Sequence, residues 1–158
     1  MSATVTDPTM TALERLYRDE GPRLERALVL FAGNRDVAKD AIAEAFAQAI
    51  RGRSRVRDPR AWVWRAAFRI AAGELKDRSR RTAMLKEFPY EMPEPVVDLV
   101  RALGRLSPKQ RASLVLFHYA GYPTKDVARI VGSTPAAVTV HLSVGRKRLR
   151  ELLEDDDD

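Results

Sequence analysis

The chain has 158 residues, a formal net charge of +6, 32% charged side chains and no cysteine. That length fits one domain or two small ones, and the missing cysteine removes disulfides, thiolate nucleophiles, Cys-ligated zinc and Cys-held iron–sulfur clusters together. The longest unbroken apolar run, Ala27 to Ala32, falls far below the roughly 20 residues of a membrane span. Met1 to Thr11 shows no basic start followed by an apolar stretch, so a soluble, cytoplasmic, unexported protein is expected. The charge is unevenly placed: residues 51–81 carry 11 basic and 3 acidic side chains, 82–98 carry 1 and 4, 99–150 carry 10 and 1, and 151–158 carry 6 acidic alone. Two cationic blocks divided by an acidic stretch point to two contacts with a polyanion, since cations held against phosphates gain by releasing condensed counterions.

In chain order, a first helix is expected from about Thr9 to Glu20, stopped by Gly21-Pro22, and a second from Arg23 to Ala32, stopped by Gly33-Asn34. Asp36 then caps a third. In it Val37, Ala41, Ala45 and Ala49 fall at four-residue steps beside Ile42, Phe46 and Ile50, making one broad apolar face, with Lys39, Asp40, Glu44 and Gln48 on the other. A fourth helix should run from Arg60 to about Arg80. It opens on Asp58-Pro59, a capping side chain followed by proline at the first helical position, where the missing N–H costs nothing. Ser107-Pro108 and Thr134-Pro135 carry the same signal. Glu87 to Pro95 has three prolines in nine positions, which removes helix hydrogen bonds and marks an extended boundary. Beyond it, Val96–Leu103, Pro108–Ala120, Lys125–Val131 and Pro135 to about Leu153 read as helices, and Asp155–Asp158 as a frayed acidic end. No run alternates with period two. The fold class is therefore all-α: two small helical domains, 9–81 and 96–153, joined by an acidic proline-rich linker, 82–95, with an acidic tail, 154–158.

The most informative stretch runs from Thr124 to Val138. A short helix bearing Val127, Ala128 and Val131 meets Gly132, suited to a positive backbone angle, and then a capped helix whose Val138 and Leu142 face back into the core. Small Ala128 lets the two helices cross closely. This is the pattern of a helix-turn-helix. If its second helix enters a major groove, Thr134, Ala136, Ala137, Thr139, Val140 and His141 face base edges while Arg146, Lys147, Arg148 and Arg150 meet phosphates. None of the base-facing residues makes the bidentate contact of arginine to guanine, so readout rests on hydroxyls and thymine methyls.

These residues resemble the extracytoplasmic function (ECF) sigma factors of bacterial RNA polymerase, over about Leu13 to Leu153. Leu106-Ser107-Pro108-Lys109-Gln110-Arg111, leading through Gly121 and the helix-turn-helix to Arg146-Lys147-Arg148-Leu149, is similar to the sigma domain that reads the upstream promoter element. Asp58-Pro59-Arg60-Ala61-Trp62-Val63-Trp64-Arg65 is similar to the start of the helix that engages the downstream element and helps open it. The resemblance implies a protein that binds core polymerase, through its beta and beta-prime subunits, and promoter DNA, and that an anti-sigma factor can hold. It implies an opening helix acting through Arg60, Trp62, Trp64, Arg65, Phe68, Arg69 and Lys76, and a polymerase-contact stripe of Asp40, Glu44 and Gln48. Rings beside arginines suit unpaired bases, which stack at about 1–3 kcal/mol each. Glu87, Glu91 and Glu94 would imitate phosphates in a channel meant for RNA. The chain departs from the family at Ala43, where glutamine is common, at Arg69 and Gly73, where asparagine and aspartate are usual, and at Thr139, His141 and Val144, where basic residues are usual.

Two other readings share the helix-turn-helix. Ala137 to Ser143 also resembles the recognition helix of LuxR-type transcriptional regulators, and weak base readers would equally suit a sigma-like adaptor that touches DNA little. Enzyme readings find no footing, because His118 and His141 have no neighbouring ligand set and no phosphate-binding glycine loop occurs. No cofactor, metal or membrane partner is expected.

Overall fold

A carboxylate followed by proline opens the first helix. In the computed structural model, which describes residues 7–81 and 93–156, the Asp7 carboxylate accepts the Thr9 N–H at 2.9 Å and Pro8 takes the first helical position. Helix α1 (Pro8–Ala32) then passes through Gly21-Pro22 without stopping, so the two helices expected from this segment are one. An interior proline costs about 3 kcal/mol. Leu24, Leu28 and Phe31, all beyond it, are buried at about 1.5–3 kcal/mol apiece, and they reach the core only if the helix continues. Gly33, at φ 67°, ends α1 by donating its N–H to the Val29 carbonyl.

Helix α2 (Arg35–Arg51) is capped by Asn34, whose Oδ1 accepts the Val37 N–H at 3.1 Å, and not by Asp36. Asp36 lies in the first turn, where its charge meets the positive helix end. The expected apolar stripe is the buried one: Val37, Ala41, Ala45, Ala49, Ile42 and Phe46 face inward. Its alanines let α2 lie close against α3 (Pro59–Arg81). A short helical turn, Arg53–Arg55, links the two. The Asp58 carboxylate caps α3 by accepting the Ala61 N–H at 3.2 Å. Val63, Trp64, Ala67, Phe68 and Ala71 fill the space between α1 and α2.

Residues 82–92 of the expected linker, Glu87 and Glu91 among them, lie outside the described residues, as do 157–158 of the tail. Helix α4 (Glu94–Gly104) begins two residues earlier than expected and includes Glu94. Helix α5 (Pro108–Leu114) starts with a reciprocal capping box between Ser107 and Gln110. It widens into a π turn at Val115–Tyr119, which the apolar pattern of this segment did not distinguish from α-helix. Helix α6 (Thr124–Val131) ends at Gly132, φ 69°, and Thr134 caps α7 (Pro135–Asp156). The axes of α6 and α7 meet at 95°, within the range of helix-turn-helix pairs. Gly145 lets α7 lie close on α5: a Cβ there would sit 3.2 Å from Leu114 Cδ1.

The two halves share one hydrophobic core. α1 packs on α4 and on the π turn, and α3 packs on α6. Arg111 ties the joint together: its guanidinium donates to the carbonyls of Phe31, Leu103, Gly104 and Leu106 at 2.9–3.3 Å. Phe31, Leu103 and Gly104 lie in the last turns of α1 and α4, where carbonyls run out of intrahelical donors, and Leu106 lies in the turn after α4; the Leu103 carbonyl also accepts the Leu106 N–H at 3.1 Å. Burial draws this guanidinium below the usual arginine range, yet a group with five N–H donors and four acceptors stays charged. Arg23 adds a bond to the Ala120 carbonyl.

Candidate nucleic-acid interface

The outward face of α7 follows from its inward one. Val138, Leu142 and Gly145 are buried against α5 and α6, so residues 136, 140, 143 and 147, at steps of four, three and four, form the opposite line. Ala136, Val140, Ser143 and Lys147 are all exposed, with Thr139 and Val144 flanking them. Val140 is 58% and Val144 47% exposed, high for isolated valines. Ala137 and His141 are half-buried at the edges of this face. Both threonines have local partners: the Thr134 Oγ1 accepts the Ala137 N–H at 3.1 Å, and the Thr139 hydroxyl donates to the Pro135 carbonyl at 3.0 Å. Further along, Arg146, Lys147, Arg148 and Arg150 are exposed and make no ion pair among the described residues.

On α3 the expected opening residues divide by environment. Arg60, Arg65, Arg69 and Lys76 are exposed and Trp62 is half-buried. Trp64 is 0% and Phe68 3% exposed, so these two rings are core and not a base-stacking surface, a correction to the sequence reading. Phe68 packs on Phe31, and the Trp64 indole donates to Glu20 at 3.1 Å. Spacing alone placed both on one helix face; which face meets α1 is a tertiary fact.

Nor does the start of α3 stand free. Arg60 donates to the Tyr122 hydroxyl at 3.1 Å and pairs with Glu20 at 3.2 Å, and its guanidinium lies 5.2 Å from the Tyr122 ring centroid. The Tyr122 ring meets Trp64 edge-on at 5.2 Å, and burial pushes its phenol above the usual range, keeping it a neutral acceptor. A groove of about 630 Å³ runs along this contact, with Arg57, Trp62 and Arg65 on one wall and Arg129 and Ser133 on the other. The two cationic blocks therefore meet across one cleft in this arrangement. Sequence reasoning did not single out Glu20, Tyr122 or Arg129. The turn Gly121-Tyr122-Pro123 was the available signal, marking a bend but not its partner.

On α2, Asp40 and Glu44 are exposed and Gln48 is half-buried. Glu44 accepts from Gln48 at 3.1 Å and Arg51 at 3.0 Å, and these bonds, the Gln48 one foremost, hold its carboxyl below the usual range. An apolar groove of about 710 Å³ lies on another side, between Leu30, Leu99, Leu103 and Leu149, with His118, Arg146 and Arg150 at its edge. Among the described residues no cluster of His, Asp or Glu is arranged to hold a metal ion, and no single helix is long and apolar enough to cross a membrane.

Residues 97–149 match the family described as Sigma-70, region 4. The chain is 31% identical over 153 residues to the ECF RNA polymerase sigma factor SigM of Mycobacterium tuberculosis, covering 90% of this chain and 77% of that one. It is 26% identical over 162 residues to the RNA polymerase sigma factor CarQ of Myxococcus xanthus, covering 93% and 92%. The fold is shared with the sigma factor RpoE of Bartonella quintana, solved in complex with the anti-sigma factor NepR, at TM-score 0.75 and 20% identity over 91% of this chain and 98% of that one. It is also shared with CnrH, solved with the cytosolic domain of CnrY, at TM-score 0.74 and 22% identity over 93% and 90%.

Proposed function

The chain belongs to the ECF sigma factors of bacterial RNA polymerase, and from that premise we propose how its parts divide the work of directing transcription initiation. Residues 96–153 form the unit that reads upstream duplex, and α7 is the helix that enters the major groove, N-terminal end first. The observation that carries this is the exposed side of α7, apolar and hydroxylic in its first turns and unpaired cationic over residues 146–150. Arg146, Lys147 and Arg148 meet phosphates there, each releasing counterions.

Residues 9–81 form the second unit, joined to the first by 82–95. Arg60, Trp62, Arg65, Arg69 and Lys76 are its strand-holding group, with Trp62 the ring placed to stack on a base. Asp40, Glu44 and Gln48 face the polymerase clamp formed by the beta and beta-prime subunits. The protein acts in the cytoplasm, with core polymerase and promoter DNA as partners and an anti-sigma factor as its inhibitor, as NepR and CnrY accompany the two structural neighbours. Members of this family are in general not enzymes; the chemistry belongs to the polymerase.

For Trp62 and Arg60 to reach DNA, α6 has to leave α3, so the arrangement described above is a resting one. The LuxR-type reading is not favoured, because similarity to sigma factors runs through both halves of the chain. The deciding experiment is run-off transcription with purified core polymerase on genomic fragments. Transcripts that require the chain and start at discrete sites support the proposal; a chain that binds duplex but never yields transcripts overturns it.

A further inference from the structure

We infer that the upstream promoter element of this sigma factor is read through thymine methyl groups, with Val140 as the residue that sets specificity. This rests on the reading of α7 as the major-groove helix and deepens it.

A helix in the major groove presents its outward line to the base edges. Between Thr134 and Gly145 that line holds no arginine, lysine, asparagine or glutamine, the side chains that make bidentate contacts to guanine or adenine. Hydroxyls and His141, half-buried at the edge of this face, were the remaining polar readers, and the structure engages the Thr139 hydroxyl, the one beside Val140. Thr139 has a single proton and donates it to the Pro135 carbonyl, so it has none to offer the acceptor atoms that dominate purine edges. Thr134 accepts the Ala137 N–H as the helix cap and keeps its proton, at the very start of the helix. Most of what the line exposes between Thr134 and Ser143 is carbon, with Ala136 and Val140 on it and Val144 beside it. Ser143 keeps a free hydroxyl among the described residues but lies one turn nearer the basic end.

In the major groove the thymine C5-methyl is the apolar group that the code offers to such a surface. Val140, the most exposed of the large apolar side chains on α7, sits in the middle of the line. Toward the C-terminus Lys147 continues the same line with Arg148 beside it, cations that fix a helix against phosphates, so apolar contact and charge complementarity lie along one face. A partner protein burying the same stripe would have to bury those cations as well.

The test uses the full chain bound to core polymerase. Duplexes retained from a random pool define the upstream element, and each thymine in it is then replaced by deoxyuridine, which deletes one methyl and leaves every hydrogen-bonding atom in place. Binding should weaken about fourfold at one or two positions, the worth of roughly one buried methyl. The Val140→Ala complex should bind thymine and deoxyuridine duplexes equally at the position Val140 faces. Because Val140 is exposed, this change leaves the core intact, and unaltered helical circular dichroism checks it. A selected element without thymine, deoxyuridine with no effect, or a Val140→Ala complex as methyl-sensitive as the parent each overturns the inference while leaving the sigma reading standing. A complex that retains no duplex at all overturns that reading and this inference with it.

Discussion

Arg111→Ala removes the donor that four carbonyls share. Each lost bond costs about 1 kcal/mol where the acceptor stays shielded from water, and the charge–ring contact with Phe31 at 5.5 Å is worth about 0.5–1 kcal/mol more. The bonds act on one joint and do not add fully, so the expected loss is about 3–5 kcal/mol. Arg111→Lys sharpens the test. It restores a cation near the ends of α1 and α4 but places it at one point, and an ammonium on a flexible stem cannot fork across both helix ends. It should recover no more than about half of the loss. Urea unfolding followed by far-ultraviolet circular dichroism measures both variants, with stability taken from midpoint and slope. A lysine variant within about 0.5 kcal/mol of the parent would refute the reasoning, since charge alone would then suffice.

Tyr122→Ala should loosen α6 from α3, while Tyr122→Phe, which loses only the bond from Arg60, should do so far less. The absence of cysteine lets dyes be placed by Lys39→Cys and Lys147→Cys, and energy transfer unchanged by Tyr122→Ala would show that this ring does not hold the halves together. Among the described residues Ser113 Oγ is buried without a partner, so Ser113→Ala should raise stability by about 1 kcal/mol; a drop in the thermal midpoint would contradict that. Replacing Arg146 and Lys147 by alanine should flatten the salt dependence of duplex binding by up to about two units of slope, and an unchanged slope removes them from the phosphate contacts. Burial, with Arg146 nearby, holds His118 below its usual value. The unfolded chain therefore takes up a proton first, and stability should decline as pH falls below about 6.5, levelling once the folded form is protonated as well. His118→Gln should lack that decline in urea midpoints taken across the same pH range.

What was legible in the sequence was local. Asp58-Pro59, Ser107-Pro108 and Thr134-Pro135 each start a helix because cap and proline act within a few residues. The stripe of Val37, Ala41, Ala45 and Ala49 is buried because helical period and composition agree. Pro22 was misread because its penalty is local and its compensation, the burial of Leu24, Leu28 and Phe31, is not. Asn34 outcompeted Asp36 for the cap by where α1 releases the chain. The joint between the halves was invisible for the same reason: Arg23 and Ala120 are 97 residues apart, and no periodicity announces such a bond. On α7 the residue types were readable, whereas the engagement of the Thr139 hydroxyl required coordinates.

The contact of Tyr122 with Arg60 and Trp64 has a quantitative effect on anything that needs the start of α3 bare. Such a ligand meets only the fraction of molecules in which that surface has come away, so its apparent dissociation constant is the intrinsic one divided by that fraction. A chain open one time in a hundred would look about a hundredfold weaker than its surface is, and a polymerase that props the halves apart would return that factor without touching a base.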